Sequence, residues 1–416
     1  MIQLHSASTQ KKSKPLWLML PCLLLLSHYS QNAYALEITG KVGAEVQYFG
    51  QEAKYNEQHN QYSSVFIEPE LFHSIDDSSE IKAKAFYRYD STDANRIHAD
   101  IRELMYYKYA DEWEIHAGIG KVFWGTTESR HLVDVINQTD AIESLDDESR
   151  LGQPMIQAKL IKEWGTLDLF ALPSFRAMQF GGIESRPRLN PVVSTADPLY
   201  QSSDRASHID YAARWSHSYD DLDIGLSYFN GTQRNPLFKA VTEGSTTKLL
   251  PVYVQSQQLG LETQYIAGDW LLKAEAVIRN SHKLGAGDNF VNYDSKALVA
   301  GFEYTVVGIK DTMYDLGIIG EYLYDEWDTS TPFQKDWMTG LRLVFNDEQS
   351  SEILLANIYD LDDSSQMWML EASRRIGENW KAELTARWVT NVDVNNQFMT
   401  AYQQEDLIDF KVSYYY

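Results

Sequence analysis

The ten histidines of this sequence are scattered, and it holds no H-E-x-x-H, no G-x-S-x-G and no phosphate-cradling glycine loop. Ser129 and His131, in the tripeptide SRH, are a weak exception. The chemistry its residues could do is therefore electrostatic. Residues 124–155 carry seven acids, Glu128, Asp134, Asp140, Glu143, Asp146, Asp147 and Glu148, against Arg130 and Arg150. Nearby, Lys82, Lys84, Arg88, Arg102 and Lys108 fall on one face of alternating segments, although Glu103 in DIRELMYY breaks the alternation and points to a bulge. An acidic segment facing a basic wall across a narrow wet gap makes a transverse field, which orders water and polar solutes and disfavours apolar ones. Glu128, Arg130, Asp134 and Asp140 with those five cations are thus candidates to line a constriction. Solvation of a wet wall would use the same residue types.

A second cluster lies in residues 174–206, where Arg176, Arg186, Arg188 and Arg205 stand among Pro187, Pro191 and Pro198. Its guanidinium groups could take an anionic solute or a lipopolysaccharide phosphate. Pairing with the acids of the preceding loop is the simpler reading and the favoured one.

The elements that must position these charges are strands. EITGKVGAEVQYF alternates Ile38, Val42, Ala44, Val46 and Tyr48 with polar residues, and IKAKAFYRY sets Ile81, Ala83, Ala85, Tyr87 and Tyr89 against Lys82, Lys84, Phe86 and Arg88. WLLKAEAVIR, WMTGLRLVF and WKAELTARW repeat the pattern. Nearly every segment alternates, and about ten residues suffice to cross a bilayer at a tilt. Short polar turns such as IDDSSE, ADE, AGD, NDEQ and GEN take turns with longer connections, as in a barrel with tight turns at one end and loops at the other. The pattern predicts 18 strands, with 16 as the alternative, beginning near residues 37, 61, 80, 98, 113, 153, 164, 207, 222, 254, 270, 293, 312, 334, 351, 366, 380 and 405. The segment after the fifth strand has Leu132, Val135 and Ile136 at helical spacing, which an external loop would not need. It is expected to fold into the lumen, the alternative being an external lid.

Residues 1–35 read as a cleaved signal peptide, with Lys11, Lys12 and Lys14, the apolar run Leu16 to Leu26 and Ala33-Tyr34-Ala35. Residues 36–416 are then the barrel. The only cysteine, Cys22, lies in the leader, so no disulfide is expected. Losing three lysines takes the formal charge of −23 to −26, which argues against nucleic-acid partners. No later apolar stretch approaches the length of a membrane helix. Trp113, Trp164, Trp270 and Trp380 each follow a turn ending in an acid or amide, as an interfacial girdle would.

The last strand, DLIDFKVSYYY, places Ile408, Phe410, Val412, Tyr414 and Tyr416 on one face and ends on an aromatic residue. It resembles the terminal assembly signal of Gram-negative outer-membrane proteins, carried by Phe410, Val412, Tyr414 and Tyr416. More broadly the chain resembles the large porins, including the phosphate- and alginate-type barrels, whose third loop folds inward. The resemblance implies an all-β transmembrane antiparallel barrel in the outer membrane, passing small polar or charged solutes, without cofactor or catalysis. Its partners would be outer-membrane lipid, lipopolysaccharide and the barrel-assembly machinery, and a homotrimer is admitted, although a closed barrel needs no partner for its edges. A non-conducting adhesin or scaffold is the competing function, with an outer-membrane enzyme behind it. Energised receptors need a plug and fatty-acid-type transporters an N-terminal hatch, and the strands begin too early for either.

Overall fold

The computed structural model describes residues 36–143, 148–327 and 333–416; the expected leader with Cys22, and the acids Asp146 and Asp147, lie outside the described residues. Alternating β-branched and aromatic residues favour extended backbone, and 21 strands form: β1 (Leu36–Phe49), β2 (Gln61–Asp76), β3 (Ser79–Asp90), β4 (His98–Tyr109), β5 (Trp113–Gly120), β6 (Gln153–Lys162), β7 (Gly165–Leu172), β8 (Leu199–Tyr200), β9 (Asp210–Tyr219), β10 (Leu222–Thr232), β11 (Leu237–Glu243), β12 (Thr246–Tyr253), β13 (Gln255–Ala267), β14 (Trp270–Leu284), β15 (Phe290–Val306), β16 (Asp315–Asp325), β17 (Lys335–Val344), β18 (Glu352–Asp360), β19 (Gln366–Ile376), β20 (Trp380–Thr390) and β21 (Leu407–Tyr415). Eighteen of them pair antiparallel in chain order into one sheet, which closes where β21 joins β1. The result is a closed 18-strand antiparallel barrel, so 18 rather than 16 is the number. Every barrel strand opens within three residues of the start read from alternation.

The three remaining strands were not expected. LFKAVTE and TTKLLPVY form a hairpin, β11–β12, turning at Gly244 (φ 64°), and β8 pairs with β12 in parallel. Two of the long connections thus carry a small sheet of their own. A short helix α1 (Gln397–Tyr402) sits in the last one, its amides capped by the Asn396 carboxamide. Among the described residues, no helix is long and apolar enough to cross a membrane.

The short turns all lie at one end. In AGD and GEN, Gly268 and Gly377 take φ 63°, a conformation that needs no Cβ, and the next strand starts at once on Trp270 or Trp380. Those two indoles, with Trp113 and Trp164, are exposed on the outside of that end. Near the loop end, Trp368 and Trp388 face each other across β19–β20 with stacked rings 6.0 Å apart. Between the two ends the outward residues are apolar, Val42, Val46, Ile67, Leu259, Leu261 and Leu341 among them.

The bulge expected at Glu103 is present. Lys84 pairs with Glu103 but Ala85 with Ile101, so Arg102 is the extra residue and the alternation changes phase. Lys108 therefore leaves the inward face. It sits at the short-turn end, where its ammonium donates to Ser78 Oγ at 2.6 Å and lies 3.6 Å from Asp76. Its place among the constriction candidates is corrected on this ground.

Candidate functional site: a partly filled lumen

Residues 121–152 connect β5 to β6 and lie against inward-facing side chains on the far wall. Inward positions are identified by parity: on β14, Lys273, Glu275, Val277 and Arg279 alternate with the outward Leu272 and Ile278. Glu275, fully buried, accepts from Thr126 N at 2.7 Å, Thr127 N at 3.1 Å, Thr127 Oγ1 at 2.7 Å and Val133 N at 3.3 Å. Glu321 on β16 accepts from Glu128 N and Ser129 N, each at 2.8 Å, and from Ser129 Oγ at 2.5 Å. A carboxylate is stable out of water when several donors converge on it. Here the donors are successive loop amides, so the two wall acids act as a clamp.

Apolar packing fills the space behind the clamp. Trp124, Leu132, Val133 and Ile136 of the loop join Phe170, Phe229, Val277, Val299, Ile319 and Leu323 from the wall in one buried cluster. Asn137 ties the loop to its own base, donating to Gly120 O and Leu151 O at 2.9 Å each. Arg234 donates to Ile136 O at 3.0 Å and pairs with Asp210 at 2.9 Å. Desolvation lowers the Arg234 guanidinium from its ordinary value, against the attraction of Asp210.

The candidate charges sort by burial. Asp140 pairs with Arg102 at 2.5 Å, Asp134 with Arg150 at 3.1 Å, and Arg88 with Glu143 at 2.6 Å and Glu45 at 3.0 Å. Arg88, Arg102, Asp134 and Asp140 are buried. Acid and base here touch instead of facing each other across water, because the return limb of the loop is seated on β3 and β4. The expected field across an open gap is corrected to that extent. Glu128, beside Arg342 and 3.7 Å from Lys273, and Arg130, 2.9 Å from Asp325, keep part of their surface in water, as do Lys82 and Lys84.

Toward the short-turn end, one sector of the inner wall is wet. From β20 round to β3, the inward Lys381, Lys84, Lys41, Lys411, Glu383, Lys82 and Glu70 keep between 29% and 43% of their side-chain surface exposed. Lys121, at the root of the loop, is exposed in part, yet protein surrounds enough of it to desolvate the ammonium. That enclosure, with the charge of Arg102, lowers its ammonium to about 8 against the opposing pull of Glu68. His131 shows the reverse balance: burial disfavours its charge, but Glu148 and Glu275 outweigh burial and raise it to about 10.

A second long connection, residues 173–209, reaches from β7 to the opposite rim. Arg186 donates to Glu405 at 2.6 Å, Asn60 Oδ1 at 2.8 Å, Gln51 O at 3.0 Å and Gln404 O at 2.5 Å, and stacks 4.5 Å over Phe49. Glu184 O and Ser185 O accept from Tyr62 and Gln58, and the Ser185 hydroxyl donates to Asp93. Arg188 stacks over Tyr55 at 3.8 Å, and Arg176 pairs with Asp100 at 2.6 Å. These arginines do pair, but with the first and last external connections and β4 rather than with the acids of the preceding loop. The segment is a strap across part of the mouth.

Ser129 and His131 do not pair: the serine hydroxyl serves Glu321 and the imidazole faces Glu275 and Glu148. Among the described residues, no group of three or more His, Cys, Asp or Glu is disposed to hold a metal. The wall acids Glu275 and Glu321, the strap's partner Glu405 and Lys121 escaped the sequence reading. An inward Glu in a wet barrel looks like any other, and only the approach of loop amides distinguishes it.

No family model matches the chain, and no curated protein matches it in sequence. Among solved structures, it is similar to a loop-deletion mutant of OmpT, an outer membrane protein of Vibrio cholerae, at 11% identity, with 92% of this chain and 99% of that one covered and a TM-score of 0.46. The outer membrane channel DcaP of Acinetobacter baumannii aligns at 10% identity over 94% and 99% of the two chains, TM-score 0.46. Salmonella typhi OmpF in complex with daunomycin aligns at 12% over 92% and 97%, TM-score 0.43. The architecture stated above rests on the strand pairing of this chain itself: a closed, antiparallel 18-strand barrel, with residues of the connection between β5 and β6 packed against inward-facing side chains of the wall.

Proposed function

We propose that this protein is an outer-membrane, porin-like channel for passive diffusion of small polar or charged solutes. One observation carries the reading: much of the inner wall is dry and covered by the clamped loop, while charged side chains on the sector from β20 to β3, toward the short-turn end, remain bathed in solvent. The apolar outer belt with aromatic residues toward both ends fits a bilayer and its two interfaces. Eighteen strands leave room for an aqueous channel even after a loop has folded in. Glu128, Arg130, Lys82, Lys84 and Lys121 are the groups that would meet a solute. Arg88, Arg102, Asp134 and Asp140 position the loop that narrows its path.

Vesicles reconstituted with folded protein test this in isosmotic solutions of a small sugar or a neutral amino acid. They are expected to swell faster than protein-free vesicles. Heat-modifiable, folded protein that gives no swelling with any small solute would sink the proposal.

A further inference from the structure

Cross-strand register places a row of apolar side chains on the inner face of β17–β20, where a wet wall would carry polar ones. Met338 pairs with Ile358, Ile358 with Met367, and Met367 with Val389, and one row further from the loops Met369 stands between Ala356 and Arg387. Residues directly opposite in an antiparallel ladder share a face. That face is the lumen, because Met338 belongs to the buried cluster with the infolded loop and Ile358 packs against it. The outward face of the same strands carries the stacked Trp368 and Trp388 instead.

The row runs from dry to wet. Met338 is buried, whereas Ile358, Met367, Met369 and Val389 are only half-buried. At its loop end, Phe333 and Phe398 bring their rings to 6.4 Å, with Tyr402 4.8 Å from Phe398. The Arg130 guanidinium lies 6.0 Å over Phe333. Apolar surface facing water is unfavourable in proportion to its area, so a half-covered row inside a channel is a place where a solute with an apolar body gains by leaving water. Methionine suits such a track, since its flexible thioether adapts to different shapes and to aromatic edges.

Resting on the channel reading above, we infer that the passage takes amphipathic small solutes, with an apolar or aromatic body sliding along Ile358, Met367, Met369 and Val389 and a charged head in the wet sector beside them. Arg387, next to Met369, and Glu383, two rows further from the loops on the same face of β20, offer both signs for that head.

Permanently charged probes separate body from head without leaking through lipid. In planar bilayers, single channels would be recorded in potassium chloride with benzenesulfonate or methanesulfonate added, and with benzyltrimethylammonium or tetramethylammonium added. At least one aromatic ion is expected to interrupt the current measurably longer than its methyl counterpart, and which one does so reports the sign of the head. The near-isosteric pair Met367→Gln and Val389→Thr should weaken that block about tenfold, with potassium chloride conductance and heat-modifiable migration unchanged. Steps in potassium chloride with no preference for either aromatic ion, or a block that the double variant leaves intact, would overturn the inference while the channel reading stands. No steps at all would instead remove the channel reading on which it rests.

Discussion

In the proposed channel, Lys121 would couple the titration of one residue to permeation. Enclosure beside Arg102 holds its ammonium near 8, so its positive charge is full at pH 6 and lost as the pH rises through 8. Glu68 and Asp140 oppose the shift, and Lys84 adds to it. Reversal potentials under a salt gradient are therefore expected to move toward cation preference between pH 7 and 9, and Lys121→Met should show the high-pH value throughout. An identical pH response in the variant would assign the titration elsewhere. Glu128→Gln removes an acid that still touches water and should shift permeation toward anions at constant pH. Arg102 differs in kind: its charge is spent on Asp140 at 2.5 Å, and removing one partner of a buried pair typically costs about 3–5 kcal/mol. Arg102→Gln should thus change loop position more than selectivity, seen as a conductance change larger than the shift in reversal potential. From sequence, the candidate charges were legible as types near the right place, but their pairing was not. Alternation fixes which face a side chain takes, and says nothing of whether a loop lands on it.

The infolded loop and the strap are each held by few groups. Glu275 and Glu321 together take seven donors from residues 126–133, so Glu275→Ala with Glu321→Ala leaves those amides without their acceptors. Current through the variant is expected to be noisier and larger, and unchanged noise would mean the apolar cluster alone seats the loop. His131 strengthens the same clamp. Its folded-state value of about 10 lies above the ordinary 6.5, so its contribution is full below about 6.5 and is lost as the pH rises toward 10. At the mouth, Arg186→Ala would strand Glu405, whose carboxyl is raised by burial even with that arginine beside it, and should free the strap. Protease nicking within residues 180–190 of the folded barrel is expected to appear in this variant and not in the parent. Strands were the most legible elements, since alternation and turn chemistry agree along nearly every one. The hairpin β11–β12 was missed inside a connection, and Lys108 was misplaced because one extra residue at Arg102 inverts every face after it.

At the scale of the whole molecule, closure depends on the last strand. β21 pairs with β1 over nine positions, from Leu407 against Phe49 to Tyr415 against Lys41, and Tyr416 exchanges backbone hydrogen bonds with Gly40 at 3.1 and 3.2 Å. Tyr416→Asp places a charge on the outward aromatic end of that seam and should lower the amount of heat-modifiable barrel recovered from membranes. Normal recovery would contradict an assembly role for this end of the strand. The net charge of −23 gives no guide to selectivity, because the wet sector of the wall and the loop root beside it carry Lys41, Lys82, Lys84, Lys121, Lys381 and Lys411 among their acids while many carboxylates lie in turns and loops. The central claim is that water passes through the part of the barrel the loop leaves open. Single-channel recording of the purified, folded protein beside a variant lacking residues 127–150 tests it most directly. Discrete steps in the parent, and larger steps in the deletion, are the expected result; an electrically silent parent, or steps that the deletion leaves at the same size, would contradict it.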